Sequence, residues 1–176
     1  MVKLISLSPC AAFLPLTVGG VRLTEIIPER LVTVAPFQGQ QDVVSAALRA
    51  QLGVGLSDVN RRAGVVTWFG QGLWMVAGDV VLDTAAVTDQ TDAWAVVRIE
   101  GERVEDVLAR LVPTDLRPNA FGDNHVAKTL SGHMPVTVVR TGRDAFDIMA
   151  MRSMAQTLVH DLEVAMRGVA ARGSKF

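Results

Sequence analysis

The sequence predicts an α+β fold made of two similar halves, each with the element order β-α-β-β. Apolar residues recur at helical spacing in two segments, residues 41–52 and 102–111, and short strands follow each segment. Glycine-containing turns join these strands, which indicates antiparallel hairpins rather than a parallel sheet. We therefore expect two ferredoxin-like halves, about residues 21–88 and 89–170, within one α+β domain spanning residues 21–176.

The first half is predicted to contain a helix between strands. In that helix Val44, Leu48 and Leu52 form the apolar stripe, and Gly53 stands where a helix C-cap belongs. The predicted elements are strands at 21–26 and 30–37, a helix at 41–52, and a hairpin of strands at 65–69 and 73–77. Residues 78–88 are too few and too rich in β-branched side chains for a closing helix, so this half is expected to lack one.

The second half repeats the order and ends in a long helix. Pro113 is expected to stop its first helix. The predicted elements are a strand at 92–99, a helix at 102–111, strands at 126–130, 134–140 and 145–149, and a helix at 153–169. Residues 1–20 are expected to form an extended N-terminal arm, because Pro9 and Pro15 interrupt their apolar stretch and disfavour a signal peptide.

The hairpin of the first half is apolar on both of its faces. A sheet with one solvated face would alternate apolar and polar residues, whereas this hairpin does not. Together with the missing helix, the pattern favours burial against another chain. The candidate interface residues are Trp68, Phe69, Trp74 and Met75.

Composition excludes several classes of function. The chain has 176 residues, 49% of them hydrophobic, a net charge of −1 and a pI near 6.3. It therefore lacks the basic footprint of a nucleic-acid-binding protein. The mean hydropathy is +0.31, and no apolar run reaches the ~18 residues of a membrane-spanning helix, so we expect no membrane partner. The single cysteine, Cys10, agrees with a reducing compartment and predicts a cytoplasmic location.

The sequence offers few groups for chemistry. His125 and His133 lie eight residues apart, which leaves a metal pair open, but no cysteine or carboxylate cluster completes a site. His160 has no partner that would make a catalytic dyad. Three carboxylates remain as candidate acids or bases, although each lies at an element boundary where Asp commonly caps: Asp89, Asp92 and Asp115. We therefore assign no catalytic, cofactor-binding or metal-binding residue.

Five segments carry a family resemblance. They read WFGQGLW at 68–74, TDQTDAW leading into RIEG at 88–101, VLARLVPTDL at 107–116, KTLSGHMPV at 128–136, and DAFDI followed by RSMA at 144–155. In this order they resemble the sarcosine oxidase gamma-subunit family, over nearly the whole chain. The resemblance implies a fold related to the glycine cleavage T-protein, an aminomethyltransferase.

The resemblance also implies a role in a heterotetramer. Such complexes oxidise sarcosine with oxygen and pass the methyl carbon to tetrahydrofolate. Their alpha, beta and delta subunits would carry FAD, FMN, NAD, zinc and tetrahydrofolate. The gamma chain is expected to carry none of these and to be non-catalytic. Two alternatives stay open: a stand-alone folate-binding protein that uses Asp89, Asp92 or Asp115, and a gamma subunit of a related enzyme for N-methyl amino acids such as N-methylglutamate.

Overall fold

A computed structural model describes residues 6–173 of the chain, so the first residues of the predicted arm and the last three residues of the predicted domain lie outside the described part. Within this part lie two antiparallel sheets and three α-helices. The strands are β1 (Leu16–Val18), β2 (Val21–Ile26), β3 (Leu31–Pro36), β4 (Arg62–Ala63), β5 (Val66–Gly70), β6 (Leu73–Ala77), β7 (Ala85–Asp89), β8 (Trp94–Glu100), β9 (Val126–Ser131), β10 (Met134–Gly142) and β11 (Ala145–Met151). The helices are α1 (Gln41–Leu52), α2 (Val104–Leu108) and α3 (Ala155–Gly173).

The elements form four layers in the order helix, sheet, sheet, helices. The large sheet has six strands in the order β1-β2-β8-β11-β10-β9, and the small sheet has five in the order β4-β5-β6-β3-β7. Helix α1 covers the outer face of the small sheet, and α2 and α3 cover the outer face of the large sheet. A third apolar cluster joins the inner faces of the two sheets. The coarse prediction of a mixed fold with antiparallel sheets is confirmed.

Alternation along the central strands builds these layers. In β8, Val97 and Ile99 point to α2 and α3, whereas Val96, directly before Val97, points to the small sheet. In β11, Ile148 faces the helices and Met149 faces the small sheet in the same way. Successive residues of a strand project to opposite faces, so a strand covered on both sides is apolar throughout.

The same reasoning accounts for the two-faced hairpin of β5 and β6. Trp74 and Val76 pack against α1, while Phe69 and Met75 pack in the layer between the sheets. The structure thus differs from the expectation that this hairpin turns an apolar face to another chain. Its second face is covered by the large sheet of the same molecule, a long-range contact that a local sequence pattern does not reveal.

Helix prediction was most accurate for the first helix. Helix α1 spans residues 41–52 as expected, and Gly53 adopts φ 77° at its C-cap. Helix α2 is shorter than predicted and continues as turns through Val112, ahead of Pro113. No helix forms in residues 78–88. Strand β7 instead begins at Ala85 and pairs with β3.

Two strand pairings differ from the predicted division into an arm and two halves. Strand β2 lies in the first half by sequence but pairs with β8 in the large sheet. Strand β1 belongs to the predicted arm and pairs with β2, so the described part of the arm packs on the body of the protein. All strand pairs among the described residues are antiparallel, and the finer ferredoxin-like and T-protein-like descriptions of the halves are not confirmed.

Candidate functional site

A cluster of three charged side chains spans the two sheets. Arg62 comes from β4 of the small sheet, and Arg98 and Asp147 come from β8 and β11 of the large sheet. Arg98 donates Nε to Asp147 Oδ1 at 2.8 Å and Nη2 to Oδ2 at 3.0 Å, which is a bidentate pair. Arg62 donates Nη1 to Asp147 Oδ2 at 3.1 Å. One carboxylate is therefore shared by two guanidinium groups.

The cluster carries one surplus positive charge beside a largely buried carboxylate. The Asp147 side chain is only 7% exposed, whereas both arginines reach solvent. Hydrogen bonding to Asp147 holds the pKa of Arg98 above its usual value, so this side chain stays cationic. Two cations and one anion leave a surplus of about one unit of positive charge, since Arg is always protonated near pH 7.

The cluster forms one wall of a cleft between the sheets, which we call the inter-sheet cleft. Its volume is about 140 Å³. The rest of the lining is mostly apolar and includes Ile26, Leu31, Val65, Met75, Val96 and Met149. Thr67 also lines the cleft, is buried, and makes no side-chain hydrogen bond within residues 6–173.

A second buried charge, Arg140, lies on the other side of the large sheet. It is 1% exposed and donates Nη2 to Glu105 Oε1 at 2.6 Å and to the carbonyl oxygen of Leu116. It also donates Nη1 to the carbonyl oxygens of Gly142 and Arg143, and its guanidinium lies 4.4 Å from the Phe146 ring centroid. Arg140 therefore fixes the segment after α2 against the large sheet.

The three histidines lie on different elements of the structure. His125 precedes β9, and burial together with nearby Arg61 and Arg140 lowers its pKa. His133 is exposed in the β9–β10 turn, and His160 is exposed on α3. Within residues 6–173, no three His, Cys, Asp or Glu side chains are placed to hold a metal ion.

The three candidate carboxylates are not gathered at one site. Hydrogen bonds from Thr91 are the main cause of a lowered Asp89 pKa. Hydrogen bonds from Arg117 lower the pKa of Asp115, in the loop after α2, to about 2. The Asp92 side chain is 98% exposed and lies 3.6 Å from Arg152. None of the three lines the inter-sheet cleft.

Cys10 is buried in the core beside the helices. Burial, followed by the charge and hydrogen bond of Glu25, raises the pKa of its thiol to about 12. Glu25 also accepts hydrogen bonds from the Cys10 backbone N–H at 2.9 Å and the Ser8 hydroxyl at 2.5 Å. These contacts fix the N-terminal turn and leave the thiol unreactive.

The four candidate interface residues have different environments. Phe69, Trp74 and Met75 are buried within the chain, and Trp74 donates Nε1 to the carbonyl oxygen of Ser57 at 2.9 Å. Only Trp68 is partly exposed, beside the core that α1 covers. Trp68 is therefore the member of this set with surface available to a partner.

The structure also shows an exposed apolar surface that the sequence did not indicate, which we call the uncovered face. It is the part of the large sheet's inner face that extends past the small sheet, and it includes Leu130, Pro135 and Met151 beside Trp94. Lys128 marks its border, where Nζ lies 4.0 Å from the Phe69 ring centroid and donates to the Phe69 carbonyl oxygen at 2.8 Å. The sequence pattern predicted strands β9, β10 and β11, but it did not show how much of their inner face the small sheet would cover.

No helix in the described part of the chain combines the length and hydrophobicity needed to cross a membrane.

Comparison with known proteins finds relatives that all carry the same name. The chain is 32% identical over 139 residues to sarcosine oxidase subunit gamma of Corynebacterium sp. (strain U-96), covering 69% of this chain and 68% of the relative. It is 30% identical over 168 residues to sarcosine oxidase subunit gamma of Arthrobacter sp., covering 85% of this chain and 82% of the relative. No family model matches the chain.

The fold leads to the same group. A chain in the structure of heterotetrameric sarcosine oxidase from Corynebacterium sp. U-96, in complex with pyrrole 2-carboxylate, matches with a TM-score of 0.76 and 26% identity. The match covers 94% of this chain and 96% of that one. Sequence and fold thus agree along most of the molecule, and the chain belongs to the sarcosine oxidase gamma-subunit family.

Proposed function

We propose that this chain is the non-catalytic gamma subunit of a heterotetrameric sarcosine oxidase and that it stabilises or positions the flavin-bearing subunits. The observation that carries the proposal is the match to named gamma subunits along up to 85% of the chain. The fold match to a chain of a heterotetrameric sarcosine oxidase supports it.

In this proposal the chemistry takes place on the other subunits. The assembly would convert sarcosine, tetrahydrofolate and oxygen to glycine, methylene-tetrahydrofolate and hydrogen peroxide. FAD, FMN, NAD, zinc and tetrahydrofolate would bind to the alpha, beta and delta subunits. The separation of the candidate carboxylates Asp89, Asp92 and Asp115 supports a role for this chain outside the reaction itself.

The uncovered face and Trp68 are the surfaces that we assign to neighbouring subunits. Leu130 and Met151 are large apolar side chains that remain exposed on a sheet face, where polar residues would be expected in a free monomer. Lys128 at the border of this face has its pKa lowered by burial and lacks a carboxylate partner within residues 6–173. An apolar surface with a cation at its border fits a subunit contact.

The subunit role is tested by co-expression of the four subunits with and without this chain. We expect omission to lower both the flavin content and the sarcosine oxidase activity of the purified complex. Unchanged flavin content and activity without this chain would show that the proposed role is wrong.

The surface assignment is tested by a matched pair of variants. Met151→Glu places a charge on the uncovered face, and Val164→Glu places one on α3 at nearly the same exposure, 58% against 55%. We expect Met151→Glu to reduce co-purification with the other subunits at least about tenfold, because a charge buried at a contact is costly, while Val164→Glu co-purifies normally. Normal co-purification of Met151→Glu would refute the surface assignment and leave the subunit role standing.

A further inference from the structure

The inter-sheet cleft combines features of a small-molecule site that the subunit role does not use. Its volume of about 140 Å³ is smaller than that of a drug-sized pocket but leaves room for a small ligand, and its lining is mostly apolar with a few convergent polar groups. The polar groups here lie together on one side. They come from two facing rows of residues, one in each sheet.

The strand register places these rows. In the small sheet, Arg62 and Thr67 are direct cross-strand partners. In the large sheet, Asp147 is the direct partner of Arg98. The hydrogen bond from Arg62 to Asp147 joins the two rows. The two guanidinium groups and the Thr67 hydroxyl are therefore presented to one space.

This polar side has unused hydrogen-bond donors. A guanidinium carries five N–H donors. Arg98 uses Nε and Nη2 on Asp147, and Arg62 uses Nη1 on Asp147 and Nε on the carbonyl oxygen of Gly64 at 2.8 Å. The Thr67 hydroxyl makes no hydrogen bond within residues 6–173 and faces the cleft, so it is free to bond a ligand.

The charge of the cluster selects an anion of low charge. Two arginines share one carboxylate, which leaves about one positive charge to be matched by a ligand. Glu100 also acts electrostatically on Arg98, but it does not line the cleft. A single carboxylate matches this balance better than a doubly charged phosphate.

We propose that the inter-sheet cleft binds a small organic monocarboxylate with an apolar body. The carboxylate accepts hydrogen bonds from Arg62 and Thr67, and the apolar body lies against Met75, Val96 and Met149. The site is noncovalent and involves no reaction. It does not depend on the proposed role in the heterotetramer.

Benzoate is a suitable probe, because it joins one carboxylate to a rigid apolar ring. Titration into the full chain is followed in two-dimensional amide NMR spectra. We expect saturable shifts of residues along the cleft, with a Kd between about 0.1 and 1 mM, as for a ligand of this size. Neutral benzamide has nearly the same shape and should bind at least about tenfold more weakly, since it lacks the charge-assisted hydrogen bonds.

Two cleft variants and one control complete the test. Thr67→Val removes only the hydroxyl and Arg62→Gln removes one charge, and we expect them to raise the Kd about threefold and about tenfold. Arg167→Gln removes an exposed arginine from α3 and should leave the Kd unchanged. If Arg62→Gln does not fold, Thr67→Val and benzamide still decide the question. No saturation up to about 20 mM benzoate, a benzamide Kd within about twofold of that for benzoate, or wild-type binding by Thr67→Val would each overturn the proposal.

Discussion

Replacing Arg140 with Met tests the buried charge network beneath the large sheet. Methionine has a similar length and fits an apolar core, so the change removes the charge without opening a large cavity. Arg140 is 1% exposed and donates to four acceptors: Glu105, Leu116, Gly142 and Arg143. Its loss therefore affects both the segment after α2 and the β10–β11 turn.

The expected cost follows from what each acceptor can do afterwards. Glu105 and the turn carbonyls of Gly142 and Arg143 reach water, so losing the hydrogen bonds from Arg140 to these groups costs little stability. The buried carbonyl of Leu116 stays unsatisfied at a cost of about 1–3 kcal/mol. Loss of the contact with the Phe146 ring adds about 1–2 kcal/mol. The Nε donor of Arg140 has no partner within residues 6–173, so removing it offsets about 1 kcal/mol, and a net destabilisation of about 3 kcal/mol results.

Urea unfolding monitored by tryptophan fluorescence measures this value. With a slope of about 2 kcal/mol per M, the midpoint should fall by about 1.5 M. Arg167→Met removes an exposed arginine paired with Glu163 and should cost less than about 0.5 kcal/mol. A Glu105→Gln cycle should show coupling to Arg140. A loss below about 1 kcal/mol for Arg140→Met would refute the assigned contribution of the network.

Three further predictions concern single positions. Cys10 should react with a thiol reagent only after unfolding, because the thiol is buried and its pKa is about 12, and rapid reaction of the native protein would contradict this. His125 should titrate below its usual 6.5 in NMR spectra. The unfolded state binds this proton more tightly than the folded state does. The contribution of neutral His125 to folding stability is therefore fully present above about pH 6.5 and is lost as the pH falls through the folded pKa. A His125→Gln variant should accordingly show a flatter pH dependence of stability in that window. Gly101→Ala should destabilise the fold by about 2 kcal/mol or more in urea unfolding, because φ at Gly101 is 138° and the new Cβ would meet the backbone of Gly20 and Val21. Gly132→Ala, with φ 58° but open space, should cost less.

Local patterns predicted most of the elements. Residues 41–52 form a helix because the apolar spacing and the C-cap glycine act within the segment itself. The strands of the β5–β6 hairpin were predicted within one residue, since Gly70 and Gly72 mark the turn. The second helix was overpredicted because only Val104, Val107 and Leu108 face the core before turns begin. Local information was sufficient wherever the determining contacts were local.

The candidate sites depended on contacts between distant segments. Arg62 and Asp147 are separated by 85 residues, so their pairing has no local signal. No sequence pattern predicted that Arg140 lies on the face of the large sheet that α2 and α3 cover, since an arginine in a strand is normally assigned to the solvated face. The prediction that β2 belongs with the first half failed to anticipate its pairing with β8 for the same reason.

The mismatch in size between the two sheets connects the fold with the proposed role. The large sheet has six strands, whereas the small sheet has five, one of which, β4, contains two residues. The small sheet therefore ends near the contact between Phe69 and Lys128, and the inner face of β9, β10 and the end of β11 extends past it. Leu130 and Met151 lie on that extension, although a face built for water would present polar side chains there. The cover for the hairpin comes from within the chain, so we assign the need for a partner to this extension instead, and Met151→Glu is the variant that separates the two interpretations.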